Sequence, residues 1–220
     1  GYKVKDLLLG ADSFYQGVLR GDQKELDPVL RLACARHAAW EEGILVDFFA
    51  YSEPKLASFV EWWKQLFGES EGKNGKGLLP MGILYSTDLH SLGQYMQEGP
   101  KIVLETFFSI TNPSGAAISK RIQIPYKEDA EDNLPGGDGL YLQDLDQMAM
   151  ASARMAHAER GTPCLEVTLA SLDLFHFGYM LAFFQTVCAV SALMLEVNPF
   201  DQPGVEAYKK NLQAMLTKPL

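Results

Sequence analysis

Cysteine is scarce, with only Cys34, Cys164 and Cys188 in 220 residues. The count is odd, the spacings are wide, and each cysteine lies among apolar neighbours. That excludes a disulfide framework and a thiolate metal cluster, and it predicts three buried thiols in a reducing compartment. Histidine is nearly as sparse. His37, His90, His157 and His176 show no ligand spacing, so no metal is expected. Positive charge is also short: 19 Lys and Arg face 28 Asp and Glu, a net charge of −9, with a pI near 4.9. An acidic surface repels nucleic-acid backbone and anionic lipid, so neither is expected as a partner. An anionic ligand would need a site built locally from helix N-termini or hydroxyls. Phosphate-loop, dinucleotide, nucleophile-elbow and H-E-x-x-H motifs are missing, and Gly136-Gly137-Asp138-Gly139 reads only as a turn. The opening residues carry no apolar signal-peptide stretch, and no repeat of solenoid period occurs. There is no initiator Met, which makes a piece of a longer chain the expectation.

What remains is an ordinary globular balance, 47% hydrophobic and 21% charged, fitting one large domain or two small ones. The apolar run 175–195 has the length of a bilayer span, roughly 20 residues. It also holds His176, Gln185, Thr186 and Ser191, so it reads as a helix buried inside an α/β domain. Short apolar runs at 44–50, 81–85, 102–110 and 164–169 read as strands, with a short fifth around 195–197. Helical spacing covers 24–42, 54–67, 89–97, 140–159 and a last element from Pro203, a residue suited to a first helical turn. The stretch 111–138 reads as a polar loop. This alternation predicts an α/β three-layer sandwich. It has a parallel sheet of about five strands, one N-terminal helix and a C-terminal helix over 203–220. In such sheets ligands bind where strands run out into loops, here 51–54, 68–80, 86–90, 111–138 and 198–203.

Three polar segments fall in those loops. Trp-Trp-Lys-Gln-Leu-Phe-Gly-Glu-Ser-Glu-Gly-Lys (62–73) closes a helix. Within it, Glu69 and Glu71 lie close enough for repulsion or partial burial to raise one carboxyl toward neutrality, as a general base requires. An ordinary solvated acidic turn has the same composition. Ser-Thr-Asp-Leu-His-Ser-Leu-Gly-Gln-Tyr (86–95) starts with a helix-cap cluster, which sets His90 near a first turn at the sheet's edge. Phe-Asp-Gln-Pro-Gly-Val-Glu-Ala-Tyr-Lys (200–209) places Gln202, Glu206 and Lys209 on one helix face, within about 60° of each other. A surface lysine on an amphipathic terminal helix would look the same.

Together, and in this order, the three segments resemble those of glucose-6-phosphate isomerases, most nearly the shorter bacterial form. The resemblance covers nearly the whole chain. It implies a sugar-isomerase (SIS) α/β sandwich that interconverts glucose 6-phosphate and fructose 6-phosphate in glycolysis and gluconeogenesis. His90, with Lys209 at the ring oxygen, would open the sugar ring. Glu69 would carry a proton between C2 and C1 through a cis-enediol. Gln65 and Gln202 match positions that line the substrate pocket. The resemblance further implies a sugar-phosphate substrate, no cofactor, a cytoplasmic enzyme, and a homodimer in which the histidine enters the neighbouring subunit's site. The family's other SIS domain and its Gly-Gly-Arg segment are not found in this sequence, so the chain by itself is expected to be inactive. Ala192 stands where the family usually has Gly or Ser, and Glu196 where bacterial members often have Gly. A non-catalytic phosphosugar-binding SIS domain is the alternative.

Overall fold

Four runs of apolar and β-branched residues form the sheet: β1 (Val46–Tyr51), β2 (Leu79–Leu84), β3 (Val103–Ile110) and β4 (Cys164–Leu169). In this computed structural model, which describes residues 3–85, 87–111, 122–124 and 139–217, all four are parallel, in the order β2-β1-β3-β4. The sheet lies between helices. On one face pack α1 (Val4–Arg20), α2 (Gln23–Glu41), α3 (Ala57–Glu71) and α6 (Leu174–Met194); on the other lie α4 (Gly93–Glu98) and α5 (Leu142–Glu159). Side chains alternate along each strand, so Phe49, Tyr51 and Phe108 enter the larger core with Trp63 and Phe184. Ala50 and Phe107 point the other way, toward Met150 and Ala153. α7 (Pro203–Leu216) ends the described chain and buries none of its residues.

The three-layer α/β sandwich stands, with one strand fewer than expected. Residues 195–197 are a turn after α6, closed by Val197 N–H donating to the Ala192 carbonyl. Leu195 and Val197 look strand-like because the turn is buried beside Ala192 and Trp40. A second N-terminal helix, α1, was not expected. Its buried stripe is Gly10, Phe14 and Gly17, and glycine ordinarily argues against a helix. Here the glycines permit contact. A methyl on Gly10 would lie 1.8 Å from the Phe175 carbonyl oxygen, and one on Gly178 would lie 1.9 Å from the Leu7 oxygen.

The expected helix 89–97 is divided into a single 3-10 turn, Thr87–Leu89, and α4, because Asp88 folds back to accept from the Leu84 amide at 2.7 Å. Most of the expected loop 111–138 lies outside the described residues. Among those that are described, Gln123 bridges antiparallel to Tyr141. α6 is long and apolar enough to cross a membrane by length and composition, and half of its most apolar window is buried inside the fold. It packs on α1, α2 and α3. Cys188 is buried and Cys164 partly so, but Cys34 is exposed, since its neighbours' apolar side chains occupy the opposite side of α2.

Candidate active site

Helix direction decides which candidate residues can meet. β1 and β2 are parallel, so α3 must run back against them and end beside the start of β2. A methyl on Gly68 would indeed touch Pro80, the second residue of that strand, at 3.5 Å. Glu69 therefore lies at the amino edge of the sheet. The segment after α6 returns to the same edge by the same logic. Thus the loops 68–80 and 198–203 do not sit at the carboxyl ends of the strands, a correction to the simple edge rule.

At this amino edge the structure gathers four of the five candidate side chains. Glu69, half-buried in the last turn of α3, accepts from the Gln65 amide at 3.4 Å, one helical turn earlier. Its other carboxylate oxygen accepts from the Gln202 side-chain amide. Gln202 directly precedes α7, and seven residues on is Lys209. The Lys209 ammonium donates to Glu206 at 3.1 Å. Its pKa is raised above the ordinary lysine value, first by the hydrogen bond and charge of Glu206, with smaller contributions from Tyr208 and the Glu69 charge. A carboxylate held between two amides, with an ammonium in its field, can accept and return a proton at a fixed position.

The loops around Glu69 are fastened to each other. Lys73 donates to the Asn198 carbonyl and pairs with Asp201 at 3.2 Å. Lys76 donates to the Leu195 carbonyl at 2.9 Å and pairs with Glu196 at 3.3 Å. Glu196 adopts a left-handed backbone at φ 58°. Glycine takes that conformation without strain, so a glycine would be easily accommodated at this position.

Glu71 does not face Glu69. Two positions apart on a helix are about 200° around its axis, and Glu71 turns inward. It is 1% exposed and accepts from Arg36 at 2.7 Å. Arg36 also donates to Asp47 in β1, whose second oxygen accepts from Thr106 at 2.9 Å. The guanidinium lies 4.1 Å from the Phe67 ring centroid.

His90 is elsewhere. It follows the 3-10 turn after β2, exposed, with its amide on the Thr87 carbonyl at 3.2 Å. That is the carboxyl edge, a full strand length of about 17–20 Å from Glu69. Behind it, buried Glu105 accepts from the Tyr85 hydroxyl and meets His157 Nδ1 at 2.8 Å. Burial first, then the Glu105 charge, raises the Tyr85 pKa far above its ordinary value. Neither buried cluster, Arg36–Asp47–Glu71 nor Tyr85–Glu105–His157, was foreseen. The available signal was a lone acid inside an apolar strand, Asp47 in one and Glu105 in the other.

These features define an α/β sandwich with a presented carboxylate and a lysine-bearing terminal helix. No protein-family profile matches the chain. A hypothetical protein from Thermus thermophilus is similar over 99% of this chain and 51% of its own, with 26% identity and a TM-score of 0.85. The fold is shared with a glucose-6-phosphate isomerase from Chlamydia trachomatis, at 19% identity and a TM-score of 0.69, over 97% of this chain and 43% of that one. Among curated proteins, the glucose-6-phosphate isomerase of Symbiobacterium thermophilum is 46% identical over 89% of this chain and 42% of its own length. That of Acholeplasma laidlawii is 41% identical over 99% and 50%. The chain is a relative of the glucose-6-phosphate isomerases, and it spans about half the length of the curated relatives it matches.

Proposed function

We propose that the chain supplies the proton-transfer half of an aldose–ketose isomerase site that interconverts glucose 6-phosphate and fructose 6-phosphate. The observation that carries this reading is Glu69, fixed between Gln65 and Gln202 with Lys209 in its field. The proton at C2 of an open-chain sugar is acidified by the neighbouring carbonyl, so a positioned carboxylate suffices to take it and return it at C1. No cofactor is required. Lys209 serves the ring oxygen during opening, and the two amides hold the base and the sugar hydroxyls in register. His90 comes from a second copy of the chain, since its own lies at the opposite edge of the sheet. The functional unit is thus a cytoplasmic homodimer of a glycolytic and gluconeogenic enzyme. Residues 1–220 form one SIS-type domain inside a longer catalytic unit; the C-terminal helix expected over 203–220 is α7, which runs Pro203–Leu216, and 218–220 lie outside the described residues.

The test is Glu69→Gln in the full-length protein. Exchange of the C2 proton of glucose 6-phosphate with solvent should fall by at least about 10²–10⁴-fold, the usual contribution of a general base. Sugar-phosphate binding, followed by calorimetry, should persist. Exchange at the unmodified rate would overturn the assignment and leave the non-catalytic phosphosugar-binding reading.

A further inference from the structure

Glu69 is held on its solvent side by two amides, but what fixes the turn it stands on lies behind it. Glu71 is the last residue of α3, and its carboxylate is buried against Arg36, a residue of α2. Arg36 is 2% exposed and also binds Asp47, which is tied through Thr106 to β3. The final turn of α3 is therefore pinned to α2 and to two strands by charged hydrogen bonds among buried side chains. Glu69 and Glu71 point to opposite sides of that turn, so fixing the azimuth of one fixes the other. Among the described residues, one Glu71 oxygen and the Arg36 Nε have no hydrogen-bond partner. A second carboxylate on Arg36 gives the group a residual negative charge, which an apolar packing of the same volume would avoid.

We infer that Arg36 and Glu71 are positioning residues for the base Glu69, holding its carboxylate at the angle that proton transfer needs. The inference rests on the isomerase reading above. Neither group touches substrate; each acts through the helix turn. A displacement of about 1 Å at a reacting group costs on the order of 10²-fold, so a frayed turn should be read in kcat rather than in stability only.

Glu71→Gln keeps the shape and still accepts from Arg36, but loses the charge. In the full-length protein it should lower kcat about 10–100-fold with KM little changed. C2-proton exchange should fall by the same factor. Amide hydrogen exchange at residues 69–72 should accelerate. Phe14→Leu, on α1 and buried against Tyr179 and Phe183 of α6, touches none of the Arg36–Asp47–Glu71 hydrogen bonds and provides a variant of comparable instability that keeps kcat. Arg36→Lys, which cannot hold both carboxylates in a planar fork, should behave like Glu71→Gln. A folded Glu71→Gln protein with unaltered kcat and unaltered protection at 69–72 overturns the inference. If the unmodified protein shows no isomerase activity, the functional reading fails instead, and the hydrogen-exchange result still decides whether Glu71 fixes the turn.

Discussion

Glu69 and Glu71 illustrate how two like residues, two positions apart, acquire different tasks from the direction each side chain takes. Glu69 meets neutral amides at a half-open edge, whereas Glu71 is buried with its charge matched to Arg36. The three cysteines divide the same way. Cys34 is exposed, while burial, as the leading cause, pushes the Cys164 and Cys188 thiols up to about 12. Thiolate is the reactive form, so a disulfide reagent at pH 8 should titrate Cys34 quickly and the other two only after denaturant is added. The sign for stability follows. A thiol that stays protonated in the folded state but ionises when unfolded favours folding below the ordinary thiol pKa. That contribution is lost as pH rises from there toward about 12. Urea unfolding midpoints measured across that window should fall accordingly. Residue identity in the three polar segments was readable from the chain. The buried partners were not, because Arg36 and Asp47 meet only once α2 is laid over β1.

At the scale of elements, the helix that the sequence concealed is the one with the tightest packing. α1 and α6 approach each other at Gly10 and Gly178, where each backbone occupies the space that the other's side chain would need. Periodicity reveals a helix by its apolar stripe, and here part of that stripe is the absence of a side chain. Strand positions fared better, since β1 and β3, at the centre of the sheet, are largely buried apolar runs, while β4 at its edge shows the alternation of a half-exposed strand, with Glu166 and Thr168 outward. The missing fifth strand shows the converse. Burial alone makes a turn look like a strand when it carries Leu and Val. Gly10→Ala or Gly178→Ala should force α1 away from α6 and cost about 1–3 kcal/mol or more by denaturant titration. Gly21→Ala, in open space but at φ 78°, should cost less than that, through backbone strain alone.

For the whole molecule, the two edges of the sheet set the arithmetic of assembly. With Glu69 at one and His90 at the other, the isomerase site proposed above draws on two copies of the chain. A protein carrying Glu69→Gln and one carrying His90→Ala should each be inactive. Refolded together in equal amounts, they should regain roughly a quarter of the unmodified activity. Half of the randomly formed twofold pairs are mixed, and each mixed pair holds one intact site. No recovery on mixing would show that both residues act within one copy. The edge placement was beyond the sequence, which orders the segments along the chain but does not say which way a helix returns.

The exposure of α7 bears on how Lys209 is delivered. Phe200, Tyr208, Leu212 and Met215 are all more than half exposed, so the helix is not seated on this chain's core. Its beginning is held by Lys73 on Asp201 and by Gln202 on Glu69. Gln202 is thus both the residue that launches the helix and a ligand of the base. On the isomerase function proposed above, a sugar hydroxyl competing for the Glu69 carboxylate would loosen the restraint on the first turn of α7 with it. The Lys209 ammonium would then ride on an arm that Glu69 itself helps to tether, its reach set by whether that carboxylate is occupied.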